Sequence, residues 1–171
     1  YKKEAMMKVL MFGWEFPPIS SGGLGTACYG LIKGLSRKNV EVTLVLPDYP
    51  DEGKKDFVKI ISAGNIKVRK ISSILMPYIN SKSYSETRQR ANSKIYGKTL
   101  FHEINRYAEA AKKIAMEEDF DVIHCHDWMT FKAGINAKKI KKKPLIVHVH
   151  ATEFDRTGGN GMNEYVCQIE K

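Results

Sequence analysis

The chain has 171 residues, 43% hydrophobic and 27% charged, a balance that gives one sizeable core and, by default, one domain. No run of about eighteen apolar residues occurs, so no helical membrane span is expected, and YKKEAMMKVLMFG has too short an apolar part for a cleaved signal. An odd, widely spaced set of cysteines (Cys28, Cys125, Cys167) suits reduced thiols and a cytoplasmic location. The net charge of +9 raises the question of nucleic acid. The basic residues are scattered or gathered in Lys138-Lys139-Ile140-Lys141-Lys142-Lys143, where the dipole at a helix end accounts for them. No nucleic-acid partner is expected, although the positive field helps to draw in a phosphate-bearing substrate.

In chain order, Lys8 to Phe12 is a short apolar run ended by Gly13, and Val40 to Leu46 is a second one stopped by Pro47. Both read as buried strands. Between them Leu24, Ala27, Leu31, Ile32 and Leu35 recur at helical spacing, which completes a parallel βαβ unit. Residues 56–74 hold two β-like runs, VKII and IKVRKI, around Ala63-Gly64-Asn65, and suggest a small hairpin. Ser83-Tyr84-Ser85-Glu86 has capping-box spacing. Leu100, Ile104, Tyr107, Ala108, Ala111, Ile114 and Ala115 then lay an apolar stripe along a long helix, broken near Gly97. A strand over Asp121–Cys125, a helix over Thr130–Lys141 and a strand over Pro144–His150 follow. After a loop at Gly158–Gly161, a last helix begins near Met162. The whole is a doubly wound, mostly parallel α/β sheet of Rossmann-like type, whose ligands bind outside the carboxyl ends of the strands.

Three loops leave those ends with unusual content: WEFPPISSGGLG, HCHDW and HVHATEFDR. In the first, Gly22, Gly23 and Gly25 run into a helix start, where backbone N–H groups and the helix dipole suit a phosphate. It is not a dinucleotide fingerprint, because Thr26, Ala27 and Cys28 stand where the third glycine is needed, and two prolines lengthen the turn. Asp48 imitates the ribose-binding acid, but the first loop argues against NAD. Four of the five histidines sit in two His-x-His pairs. Period-2 geometry puts His124 and His126 on one face of their strand, and His148 and His150 on one face of theirs. His124 and His148 lie deeper and read as satisfied core histidines, whereas His126 and His150 end their strands and face the crevice. The paired imidazoles also raise a zinc site, but His-x-His-x-Asp fails because Trp128 takes the Asp position.

EFPPISSGGLGTACYGLIKGLSRKNVEVTLVLP resembles the N-terminal signature of retaining glycosyltransferases of the GT-B fold, the glycogen and starch synthase type and close relatives. IHCHDWMTFKAG resembles the same family's histidine, aspartate, tryptophan segment with its small-residue helix. HATEFDRTGG resembles the next crevice loop in the relatives that use various sugar nucleotides. The resemblance implies that residues 1–171 are the acceptor-side, N-terminal domain, incomplete, of an enzyme whose C-terminal nucleotide-binding domain is absent from this chain. By the same resemblance, the donor is a sugar nucleotide such as ADP-glucose or UDP-glucose, the acceptor is a carbohydrate, and no cofactor or catalytic metal takes part. Gly22, Gly23, Leu24 and Gly25 would approach the donor phosphates, and His126 would contact the transferred sugar near the reacting centre. Glu15, Asp127, Trp128, His150, Thr152 and Glu153 would line the acceptor side or hold those groups in place. Glycogen and starch synthases typically carry a lysine two residues before the paired glycines, but Ser20 and Ser21 precede Gly22 here, which favours a relative with a different acceptor. Two rival readings stay open: a metal-dependent hydrolase built on the histidine pairs, and a non-catalytic carbohydrate- or nucleotide-binding module.

Overall fold

The computed structural model describes residues 6–17, 23–46, 66–70, 85–86, 89–90 and 99–171, with 66–70 as backbone. Its elements are β1 (Lys8–Phe12), α1 (Gly23–Arg37), β2 (Glu41–Leu46), β3 (Ile66–Lys70) and α2 (Leu100–Glu117), followed by β4 (Val122–His126), α3 (Trp128–Lys141), β5 (Leu145–His148), α4 (Glu153–Thr157) and α5 (Glu164–Glu170). The five strands form one sheet in the order β3-β2-β1-β4-β5, and every neighbouring pair is parallel. The strand order reverses between β1 and β4. In a doubly wound sheet that reversal opens a crevice beyond the strand ends, because the connections on its two sides run off in opposite directions.

Alternation along the strands builds two apolar layers. Val9, Met11, Val42, Leu44 and Leu46 face one way and pack with Cys28 and Ile32 of α1. Leu10, Phe12, Val45, Ile123 and Cys125 face the other way, against the stripe of α2 and against Met129, Phe131, Ala133 and Ala137 of α3. All seven stripe residues of α2 are buried, so the 3.6-residue period in the sequence marks the docking face correctly. Tyr107 adds a polar tie at the strand ends: its hydroxyl donates to the Gly13 carbonyl at 2.9 Å and to that of Val45 at 3.2 Å.

Several boundaries differ from those read in the sequence. β2 begins at Glu41, because the turn before it uses Asn39 in a left-handed conformation, φ 59°. β4 runs on to His126 and α3 starts at Trp128, so the strand-to-helix turn is the single residue Asp127, at φ 58°. β5 stops at His148, which leaves His150 in the loop beyond it. Ile66–Lys70, one arm of the hairpin suggested by the sequence, pairs parallel with β2, Val42 opposite Ile66. The other proposed arm lies outside the described residues, as do Ser20, Ser21, Gly22, Asp48, Ser83, Tyr84 and Gly97. The short α4 was not anticipated, although Thr152 and Asp155 make a capping box that fixes its start. Among the described residues no helix is long and apolar enough to cross a membrane.

Candidate active site

Four segments meet at the reversal between β1 and β4: the turn after β1, the start of α1, the loop that leaves β4 and the loop that leaves β5. Between them lies a crevice of about 710 Å³ lined by Trp14, Gly23, Leu24, Leu100, Phe101, Asp127, Trp128, His150, Glu153 and Arg156, with five further neighbours. Gly23, Leu24, Asp127, Trp128, His150 and Glu153 are thereby brought to one place. Gly23 is the first residue of α1, exposed, with open space where a Cβ would stand and without a positive φ. Its use is therefore room at the helix N-terminus, not a special backbone conformation.

Glu15 and Gly25 are tied to each other at the start of α1. Glu15 is buried, and its Oε1 accepts from the Gly25 N–H at 2.5 Å. A carboxylate at that position satisfies a helix-end donor and sits well in the dipole. It also takes the Gly25 N–H out of the set available to a ligand, so Gly23 and Leu24 carry the open N–H groups among the described residues. Thr152 does not line the crevice. Its hydroxyl caps α4, donating to Asp155 Oδ2 at 2.7 Å and accepting from the Asp155 N–H at 3.3 Å.

Asp127 is the organiser of the far rim. Its N–H donates to the His148 carbonyl at 2.9 Å, and its Oδ1 accepts from the His150 N–H at 2.6 Å. Thr130 Oγ1 donates to the carbonyls of His126 and Asp127. A non-glycine residue in the left-handed region is uncommon, and these bonds hold it there. The ends of β4 and β5 are thus locked in relative position.

Behind Asp127 the four histidines form a stack on the α1 side of the sheet. His148 and His150 lie 4.2 Å apart between ring centroids, His124 and His126 4.5 Å, and His126 and His148 5.0 Å. His126 is almost fully buried, 1% exposed. It lies behind His150 instead of opening onto the crevice: His126 Nδ1 and His150 Nε2 are 3.0 Å apart, and Cys28 Sγ is 3.9 Å from His126 Nε2. Burial, reinforced by the neighbouring imidazoles, lowers the pKa of His124 to about 4 and that of His126 to about 3. His150 is also lowered, chiefly by burial, with Asp127 pulling the other way. His124 and His126 are therefore neutral near pH 7. Neither deep histidine is a satisfied core residue: His124 Nε2 is buried without a hydrogen-bond partner among the described residues, and His148, near the end of the outer strand β5, is only partly buried.

Trp14, Leu100, Phe101 and Arg156 also line the crevice, and no motif in the sequence marks them as site residues. Trp14, 6% exposed, lies on the wall with its indole N–H unpartnered among the described residues. Phe101 tilts against Trp128, ring centroids 6.4 Å apart. Leu100 was read only as part of the α2 stripe. The Arg156 guanidinium lies over the Trp128 ring at 5.9 Å and is held by Glu170 at 2.7 Å and Glu153 at 3.2 Å. Trp14 and Arg156 stand inside the two loops already noted, so a polar or aromatic residue within such a loop was the available signal.

A doubly wound α/β domain with its crevice at the strand reversal is one half of many nucleotide-using enzymes. Residues 8–170 match the starch synthase catalytic domain family, and the chain belongs to that family. An uncharacterised glycosyltransferase of Methanocaldococcus jannaschii is 31% identical over 155 residues, covering 90% of this chain and 33% of that protein. A glycogen synthase of Mycobacterium tuberculosis is 26% identical over 157 residues, covering 90% of this chain and 36% of its own length. The chain thus spans about a third of the length of these curated relatives. Among solved structures, a sucrose-phosphate synthase from Thermosynechococcus elongatus superposes with a TM-score of 0.64 over 96% of this chain and 39% of its own, at 14% identity. That likeness shows the fold. Together the findings make this a glycosyltransferase domain of the glycogen synthase type.

Proposed function

We propose that this chain is the acceptor-side, N-terminal domain of a sugar-nucleotide-dependent hexosyltransferase acting with retention of anomeric configuration. It moves a glucosyl unit from a donor such as ADP-glucose or UDP-glucose to an α-glucan or another carbohydrate. A C-terminal domain elsewhere in the protein holds the base and ribose, and neither cofactor nor catalytic metal is required. The supporting observation is the crevice, with an open helix N-terminus on one rim and Trp14, Phe101 and Trp128 beside Glu153 and Arg156 on the other. Aromatic walls with a few charged groups suit a sugar, which has apolar C–H faces and a polar edge.

In this reading Gly22, Gly23 and Leu24 approach the donor diphosphate through backbone N–H groups, where charge grows as the sugar–phosphate bond breaks. His126, with His150 in front of it, serves the transferred sugar; His150 turns aside to admit that contact. Trp128, Asp127 and Glu153 shape the acceptor side. The test is kinetic, in the full-length enzyme. His126→Ala is expected to lower turnover by about two powers of ten or more with little change in unfolding, as for a contact strengthened in the transition state. Gly23→Val is expected to raise the donor KM, since its Cβ space is open and the fold tolerates it. Unchanged turnover in the first variant overturns the role of His126, and unchanged donor use in the second overturns the phosphate assignment.

A further inference from the structure

The His124, His126 and His148 side chains each offer one ring nitrogen, and the three nitrogens lie within 4.8 Å of one another. The strand register produces this convergence. His126 stands opposite His148 across the β4–β5 pair, and His124 is two residues earlier on the same face. A borderline-soft cation takes imidazole nitrogens at about 2.0–2.1 Å, which places two ligands on one ion about 3.3 Å apart. The present spacing is at most about 1.5 Å wider than that, so coordination requires the rings to close in on one another. Two further observations point to a ligand. His124 Nε2 is buried and has no hydrogen-bond partner among the described residues, an unfavourable state that a metal bond would relieve. His126 Nδ1 is engaged by His150 Nε2 at 3.0 Å, which leaves Nε2 for coordination. It also supplies the kind of second hydrogen bond that orients ligating histidines. His150 is in turn fixed through its N–H on Asp127. Coordination would displace only the long contact from the Cys28 thiol, at 3.9 Å.

We propose that His124, His126 and His148 form a three-histidine site for one divalent transition-metal ion, Zn²⁺ or Co²⁺, with its fourth position left to water. A second consequence rests on the function proposed above. An ion on His126 removes that side chain from the sugar, so the metal-loaded protein is an inhibited form of the transferase. The ion is a blocking ligand, not a participant in the transfer.

The experiment uses the full-length protein, stripped with chelator and titrated with Co²⁺ in the absence of any sugar or nucleotide. One equivalent is expected to bind and to give the visible d–d absorption of a low-coordinate nitrogen site, displaced by Zn²⁺. His148→Ala, at the accessible side of the cluster, is expected to abolish the signal, and His124→Gln to do the same. His150→Ala is expected to weaken binding by about 10–100-fold, as for loss of an outer hydrogen bond to a ligand. His102→Ala is expected to leave it intact, since His102 lies exposed on α2 outside the cluster. Urea unfolding of each variant verifies that it is folded before it is scored. No binding, binding that survives His148→Ala, or binding lost with His102→Ala overturns the site. Activity is then read separately: stoichiometric Zn²⁺ is expected to abolish sugar transfer by the parent protein and to spare His148→Ala. Binding without inhibition retains the site and overturns the blocked form. Absence of any sugar transfer overturns the transferase reading and leaves the spectroscopic result standing.

Discussion

At Gly134 a single hydrogen decides how closely α3 approaches the sheet. A Cβ built there would collide with Cys125 Sγ and lie 2.8 Å from Leu145 Cδ1, and Cys125 is fully buried. Gly134→Ala gains about 1 kcal/mol of helix propensity but overpacks a filled layer, a cost of about 1–3 kcal/mol or more when the clash is this short. A net loss of stability is expected in urea unfolding, with a separation of α3 from β4 at its source. Cys125→Ala in the same chain should restore much of it by removing the sulfur that collides. If Gly134→Ala were neutral or stabilising, the close approach of α3 would be wrong. The family resemblance marked the HDW helix as rich in small residues, yet the sequence does not say which small residue is pressed against the neighbouring strand. The same limit applies to Glu15: its acid side chain was visible, but its bond to the Gly25 N–H depends on how the turn after β1 meets the start of α1.

Elements were more legible than the contacts between them. The apolar stripe of α2 predicted the buried face except for Glu103, because a regular period survives any detail of packing. Tyr107 was counted in that stripe as bulk, and its hydroxyl was not read. It is the polar pin between α2 and the two strand ends that frame the crevice. Val45 O keeps a second partner, the Gly13 N–H at 3.0 Å, whereas Gly13 O depends more on the phenol. Tyr107→Phe is expected to cost about 1–3 kcal/mol, the range for leaving a buried acceptor unpaired, while the edge contact of the ring with Phe12 remains. Equality of the two proteins in denaturant midpoint would overturn the pin. β3 shows the limit of local pattern. Its residues read as β-forming, but only the sheet as a whole makes Ile66–Lys70 a parallel strand on β2. The ends of β4 and β5 were misjudged by one or two residues for a related reason: a one-residue turn through a left-handed Asp127 has no signature in a sequence, since aspartate is common in ordinary turns.

At the scale of the whole molecule, the doubly wound class followed from the alternation of strand and helix, but the clustering of the four paired histidines depended on register between β4 and β5. That cluster sets a prediction for stability against pH. His124 and His126 hold folded pKa values of about 4 and about 3 against an ordinary 6.5. A base whose pKa is lowered by folding is protonated first in the unfolded chain, so between those values and 6.5 the unfolded state binds more protons. Their contribution to stability is full above pH 6.5 and is lost as pH falls through 6.5 toward 4 and 3. The buried thiols act at the other end. Burial pushes Cys28 and Cys125 up from 9.0 to about 12, so the unfolded chain ionises first and stability declines as pH rises above 9. A plateau between about pH 6.5 and 9 is expected, with an acid limb approaching about 1.4 kcal/mol per pH unit for each histidine held neutral. Urea unfolding across this range, with chelator present so that no ion holds the cluster together, measures both limbs. Stability that stays level from pH 8 down to pH 4.5 would mean that the histidines take up protons as readily folded as unfolded. The burial of His124 and His126 behind Asp127 would then be wrong.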